Sequence, residues 1–231
     1  PKRVPVLVNY NVGPETFQRP VTTADMELLE KIEQLSLPAE VPTVEVPYMH
    51  MTHERARMDT AGVTHVHHFF LPRAAHALAS LWRKAHSIHD AGSRRMVTWF
   101  VEQAIWGMSV LARYAPTHYS QVNQYLNGVY YIGSQIVDVS PWYILYDEAK
   151  RTSKLPRLVK SFTPMPAIPD SAVLQTGDCA SIPAPDRCVD YIFTDPPFGE
   201  NIYYADLNFL VEAWHGVLTA PMNEAIVDQA K

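Results

Sequence analysis

At 231 residues, with 47% apolar and 19% charged side chains, the chain has ample material for a core and is too apolar to be disordered. A formal net charge of −5 excludes a general polyanion binder, so any nucleic-acid contact has to come from a local basic patch. The only cysteines, Cys179 and Cys188, exclude a disulfide framework and a zinc site of the CxxC…CxxC type within the chain.

Residues 1–21 are rich in proline and polar residues after a short apolar stretch from Val4 to Val8. Thr22-Thr23-Ala24-Asp25 has the spacing of a capping box, and Met26, Leu29, Ile32 and Leu35 follow at helical intervals. Pro38, Pro42 and Pro47 then break the chain into extended or irregular segments. A firm helix is expected from Leu71-Pro72, with Ala75, Leu78, Trp82, Ala85 and Ile88 forming one stripe and Pro72 in its first turn. Ser93 is expected to cap a second helix running to about Tyr114, buried through Met96, Trp99, Phe100, Ile105, Met108 and Leu111. Residues 117–146 are mixed, with a strand-like patch at Val129-Tyr130-Tyr131-Ile132. Lys150, Arg151, Lys154, Arg157 and Lys160 make a basic run, and the proline-rich stretch from Thr163 to Pro169 reads as a linker.

Beyond the linker the sequence changes character. Ala172 to Thr176 is a strand-like run ending at Gly177-Asp178, and Val189 to Thr194 is a second one carrying Tyr191, Ile192 and Phe193. Asp206 to Gly216 then reads as a helix with Leu207, Leu210, Val211 and Trp214 on one face. Two regions are expected: a mostly helical one over 1–165, and part of an α/β sheet over 170–231. The fold class is therefore α/β, with a partial Rossmann-like sheet and a largely helical N-terminal region.

The chemistry concentrates at the end of the second strand-like run. Asp178 and Asp195 both follow strands, and in an open α/β sheet functional groups collect at strand ends. In Asp195-Pro196-Pro197-Phe198 each proline stiffens the residue before it and removes an N–H. The loop therefore offers acceptors, a carboxylate and free carbonyls, followed by an aromatic ring. An amino group on a flat base needs this arrangement, because its lone pair is delocalised into the ring. Accepting both N–H hydrogens from one side favours a pyramidal nitrogen aimed at a methyl donor, through positioning and electrostatics. Such a loop is reached only by a flipped-out or single-stranded base, which Phe198 would stack on.

Thr194-Asp195-Pro196-Pro197-Phe198 resembles motif IV of the amino-methyltransferases, [DNS]-P-P-[YFW], and its Asp form is closer to the adenine-N6 branch than to the cytosine-N4 branch. The run from Thr194 to Trp214 is similar to adenine-specific DNA methylases that carry a zinc ribbon, and His68-Phe69-Phe70-Leu71-Pro72-Arg73 resembles their F-x-P-R-Q segment. The resemblance covers residues 172–216 well and 65–85 weakly. It implies S-adenosyl-L-methionine (SAM) as cofactor, contacted by Asp178, Cys179 and Thr194, and DNA as partner. Asp195, Pro196, Pro197 and Phe198 would form the catalytic loop. The basic residues Lys150, Arg151, Lys154, Arg157 and Lys160 are expected on the nucleic acid, with Tyr203 and Tyr204 lining the base pocket.

The chain departs from that family in two respects. Its nine glycines are scattered, no pair forms G-x-G, and the F-x-G-x-G cofactor loop and ribbon cysteines are absent. A fragment is therefore expected, with the rest of the polypeptide upstream and downstream and little SAM affinity of its own. No metal site is expected: the histidines at 65, 67, 68 and 76, and the pair His86 and His89, read as packing or surface residues. No apolar run approaches the roughly 18 residues that span a bilayer, and Pro1-Lys2-Arg3 leads into no signal-like stretch, so a cytoplasmic protein without membrane contact is expected. Two alternatives keep or drop the chemistry: methylation of cytosine N4, RNA or a protein amide, and a non-catalytic DNA-binding or interaction module derived from a methylase.

Overall fold

The computed structural model describes residues 3–47, 62–116, 119–122, 130, 132–153, 177, 181–195 and 204–220. Its N-terminal element is a hairpin of β1 (Leu7–Val12) and β2 (Glu15–Pro20), antiparallel in a register that sets Val12 opposite Glu15 and Tyr10 opposite Phe17. The two-residue loop Gly13-Pro14 joins strands of right-handed twist. Across it the Tyr10 and Phe17 rings stack with centroids 5.6 Å apart, a cross-strand pair that the composition of residues 1–21 did not announce.

Helix α1 (Thr23–Glu33) begins as its sequence dictates. The Thr22 hydroxyl accepts from the Asp25 backbone N–H at 3.4 Å, and the Asp25 carboxylate accepts from the Thr22 N–H at 2.8 Å, so two orphan donors are satisfied reciprocally. Arg19 at the end of β2 donates to the same carboxylate at 2.5 and 2.8 Å, joining hairpin to helix. That guanidinium, with the Thr22 hydrogen bonds, holds the Asp25 carboxyl far below the usual carboxylate range. Met26, Leu29 and Ile32 are half-buried and Leu35 is exposed.

The core is built around α2 (Pro72–His86). Pro72 occupies the first turn, where its missing N–H costs nothing, and Ala75, Leu78, Trp82 and Ala85 are buried as the stripe predicts. A 3₁₀ turn, Val66–Phe69, precedes it and buries Val66 and Phe69 completely. The chain before that turn is anchored by Arg83, which donates to Glu40 at 2.5 and 2.8 Å and holds its carboxyl down to about 2.

The second expected helix is shorter and starts differently. Asp90, not Ser93, is the N-cap: its carboxylate accepts from the Ser93 N–H at 2.7 Å. Helix α3 (Ala91–Glu102) stops at Gln103 and a single turn, α4 (Ala104–Gly107), follows. Beyond Met108 the helix is ended by competing hydrogen bonds, among them Val110 N–H to the Phe69 carbonyl at 2.7 Å. The buried Ser109 hydroxyl donates to the Trp106 carbonyl and accepts from the Leu111 N–H, replacing helical bonds. Gly107 lies under α5 (Pro141–Thr152), where an added Cβ would come within 2.5 Å of the Ile144 Cδ1. Ile105, Met108 and Leu111 are buried as expected, but Met96 and Trp99 are 57% and 39% exposed, because they lie on the side of α3 away from the core.

Strands β3 (Arg113–Ala115) and β4 (Tyr119–Gln121) form a second antiparallel pair. Tyr130 and Ile132, expected in a strand, belong to none. Tyr130 is instead fully buried, edge-on to Phe69 at 5.6 Å and to Trp106 at 5.5 Å. Helix α6 (Tyr204–His215) completes the core through Ala205, Phe209, Leu210, Ala213 and Trp214. It ends in a Schellman motif: Gly216, at φ +68°, donates to the Ala213 carbonyl and Val217 to that of Glu212.

The described residues thus form a mixed structure of helices and two small antiparallel sheets. No parallel sheet occurs among the described residues, and residues 189–194 are not a strand. Among the described residues no helix is long and apolar enough to cross a membrane.

Candidate functional site

The motif residues occupy the stretch leading into α6. Residues 181–195 are described as irregular chain on the surface, with Tyr191, Ile192 and Phe193 between 74% and 83% exposed. A strand needs a partner for its backbone groups, and among the described residues this segment has none, which accounts for the missing strand at 189–194. Thr194 and Asp195 are exposed. Pro196, Pro197, Phe198 and Tyr203 lie outside the described residues, as do Asp178, Cys179 and the strand-like run 172–176. Tyr204 is half-buried as the first residue of α6.

The helix that follows is held at its far end. Trp214 meets Phe70 edge-on at 5.5 Å and Trp82 at 5.4 Å, so α6 is seated against α2 and the chain just before it. His215 adds a polar tie, its Nε2 2.9 Å from the Glu102 carboxylate of α3, with its ring 5.1 Å from Trp82. From Asp195 to Tyr204 the chain takes nine steps, so the carboxylate lies within roughly 30 Å of the start of α6.

The basic run is described only at its start. Lys150 projects from α5 with its ammonium 4.3 Å above the Tyr146 ring and 3.9 Å from the Asp147 carboxylate. Arg151 lies in α5, but its side chain is outside the described part, together with Lys154, Arg157 and Lys160.

The histidines of the 3₁₀ turn do pack together. The His67 and His68 rings are 4.1 Å apart, and His65 lies 5.4 Å from His68. The Thr64 N–H donates to the His68 Nδ1 at 3.2 Å, so that nitrogen is an acceptor. Burial, and then the neighbouring imidazoles, lowers the affinity of His67 and His68 for a proton. Among the described residues no group of three His, Cys, Asp or Glu converges on a position for a metal ion.

A groove of about 2400 Å³ opens between the hairpin and α1 on one side and residues 132–147 on the other. Sequence reasoning missed it. Its one linear signal is the run Trp142-Tyr143 with Tyr146, a cluster of aromatics one helical turn long beside Asp147. Trp142, Tyr143 and Tyr146 are 79%, 46% and 60% exposed, and Tyr10 faces the same space. The Tyr143 phenol is held protonated to higher pH by burial and by the nearby Asp147 and Tyr119.

The chain matches no protein-family model, no curated protein and no solved structure. Of the residues expected to contact SAM, Thr194 is described, and Asp178 and Cys179 lie outside the described residues.

Proposed function

We propose that the chain is part of a SAM-dependent DNA methyltransferase acting on an exocyclic amino group, adenine N6 in the first instance. The observation that carries this reading is the string Thr194-Asp195-Pro196-Pro197-Phe198, followed within ten residues by helix α6. In this reading the Asp195 carboxylate and the Pro196 carbonyl accept the two amine hydrogens, and Phe198 stacks on the extruded base, worth about 1–3 kcal/mol. Residues 170–231 would belong to a Rossmann-like catalytic sheet completed by the rest of the protein, and Lys150 to Lys160 would follow the DNA backbone. The reading implies a cytoplasmic protein.

The test is methyl transfer from labelled SAM to DNA by the full-length protein, with the product nucleosides resolved by mass spectrometry. N6-methyladenine is expected, and Asp195→Ala should lower the rate by at least about a hundredfold while circular dichroism stays unchanged. Full activity in Asp195→Ala would refute the assignment, and N4-methylcytosine or a methylated RNA or protein would redirect it. A second reading, a non-catalytic module derived from a methylase, is favoured by the exposed, irregular state of residues 189–195. It predicts DNA or protein binding with no transfer in the full-length protein.

A further inference from the structure

The turn ahead of α2 carries a hydrogen bond that holds only while one imidazole is neutral. Thr64 donates its backbone N–H to the His68 Nδ1 at 3.2 Å, and its hydroxyl lies 2.9 Å from the His65 Nδ1. An N–H directed at a ring nitrogen needs a lone pair there, so the proton of neutral His68 sits on Nε2. A second proton at Nδ1 sets one N–H against another and breaks the bond. His67 lies beside it with ring centroids 4.1 Å apart, and its own Nδ1 is buried without a hydrogen-bond partner. His65 is 5.4 Å from His68 and 5.5 Å from His67, so charges gained here fall on neighbouring rings.

Thr64 is also the residue to which the preceding chain is tied. Its carbonyl accepts from the Val46 N–H at 2.9 Å, the Val44 carbonyl accepts from the Val66 N–H at 2.9 Å, and Glu45 stands opposite His65 in an antiparallel bridge. These bonds lay residues 44–46 along the turn, with Val46, Val63 and Val66 buried. A segment fixed by two backbone bonds opens at lower cost than the core beside it. The charged and titratable groups on the flanking elements are Glu45 on this segment, Arg73 and His76 on α2, and Asp138, which lines the same groove as His68 and is paired with Arg73 at 2.7 Å. Among the described residues none of the three imidazoles is hydrogen-bonded to a carboxylate. Burial and the adjacent rings, rather than an acid, set the proton affinity of His67 and His68.

We propose that this turn is an acid-released latch: protonation of His67 and His68 breaks the bond from Thr64 to His68 and frees residues 44–46 from the turn, uncovering Val46 and Val63. The latch is closed at neutral pH and opens as pH falls below the ordinary histidine value of about 6.5, while α2 stays folded. The device stands apart from the motif at Asp195, and its test reads no methyl transfer.

The experiment is amide hydrogen exchange on the whole chain at pH about 7.5 and about 5, with each rate corrected for the intrinsic pH dependence of exchange. Protection at Val46 and Val66 should fall about tenfold or more on acidification relative to Leu78 in α2, since one pK unit at one site corresponds to a factor of ten. The paired change His67→Gln with His68→Asn keeps an acceptor near the position of Nδ1 that takes up no proton, so Val46 and Val66 should stay protected at both pH values. A fall that persists in that variant, or one shared equally by Leu78, overturns the proposal. So does constant protection in the parent. Imidazole nitrogen spectra of the parent at neutral pH supply a readout that needs no variant: His68 protonated on Nε2 is expected, and protonation on Nδ1 overturns the latch.

Discussion

Removing the side chain of Leu210 tests whether the helix after the motif is part of the same cooperative core as α2. Leu210 is completely buried on α6, on the same face as Phe209, Ala213 and Trp214, and Trp214 lies on Phe70 and Trp82. Leu210→Ala deletes three carbon atoms where rigid aromatic neighbours limit collapse, so both the transfer loss and a residual cavity count. The expected cost is about 2–5 kcal/mol. For a chain of this size, that corresponds to a fall in melting temperature of roughly 4–20 °C. Urea unfolding followed by circular dichroism gives the free energy, and amide exchange resolved on α2 shows where it is felt. Protection in α2 should fall together with that in α6. A loss below about 0.5 kcal/mol, the range of ordinary surface substitutions, would refute the packing argument. An unchanged α2 beside a melted α6 would refute the shared core.

Two further outcomes follow from local features. His67 and His68 have proton affinities lowered on folding, so the unfolded chain binds more protons at mildly acidic pH. Their stabilisation is therefore complete above the unfolded value of about 6.5 and is lost as pH falls through that value toward the folded ones. Urea midpoints should drop between neutral and mildly acidic pH, and the double change His67→Gln with His68→Gln should flatten that drop; a midpoint that rises on acidification would contradict the burial argument. Gly107→Ala forces a methyl against the Ile144 side chain and should cost about 1–3 kcal/mol in thermal or urea unfolding, with Ile144→Val recovering part of it; additive effects in the double variant would mean the two sites do not touch.

Much of the helical framework was legible because its signals are local. The Thr22/Asp25 capping box, Pro72 in the first turn of α2 and the stripe from Ala75 to Ala85 need only a few neighbouring residues to take effect. The helix expected near 206–216 is present as Tyr204–His215 for the same reason. At the motif the sequence speaks for chemistry through residue identity, and the described structure adds where Asp195 stands and what anchors the helix after it.

Other features were decided by partners distant in the chain. Apolar periodicity marks a helix face but not what covers it, so Met96 and Trp99 looked like core until α3 was seated with Val101 inward. Tyr130 has the side chain of a strand residue, yet Phe69 and Trp106 enclose it, and burial of its ring outweighs β propensity. The helical course ends at Met108, where the Ser109 hydroxyl replaces helical bonds and Val110 donates to the Phe69 carbonyl, a contact across 41 positions. The sequence by itself determined the Thr22/Asp25 capping box, the first turn of α2 and its buried stripe, because short-range geometry and residue identity carry them. Tertiary structure alone decided which apolar faces meet and where the groove beside α5 opens, because both depend on contacts between segments far apart in the chain.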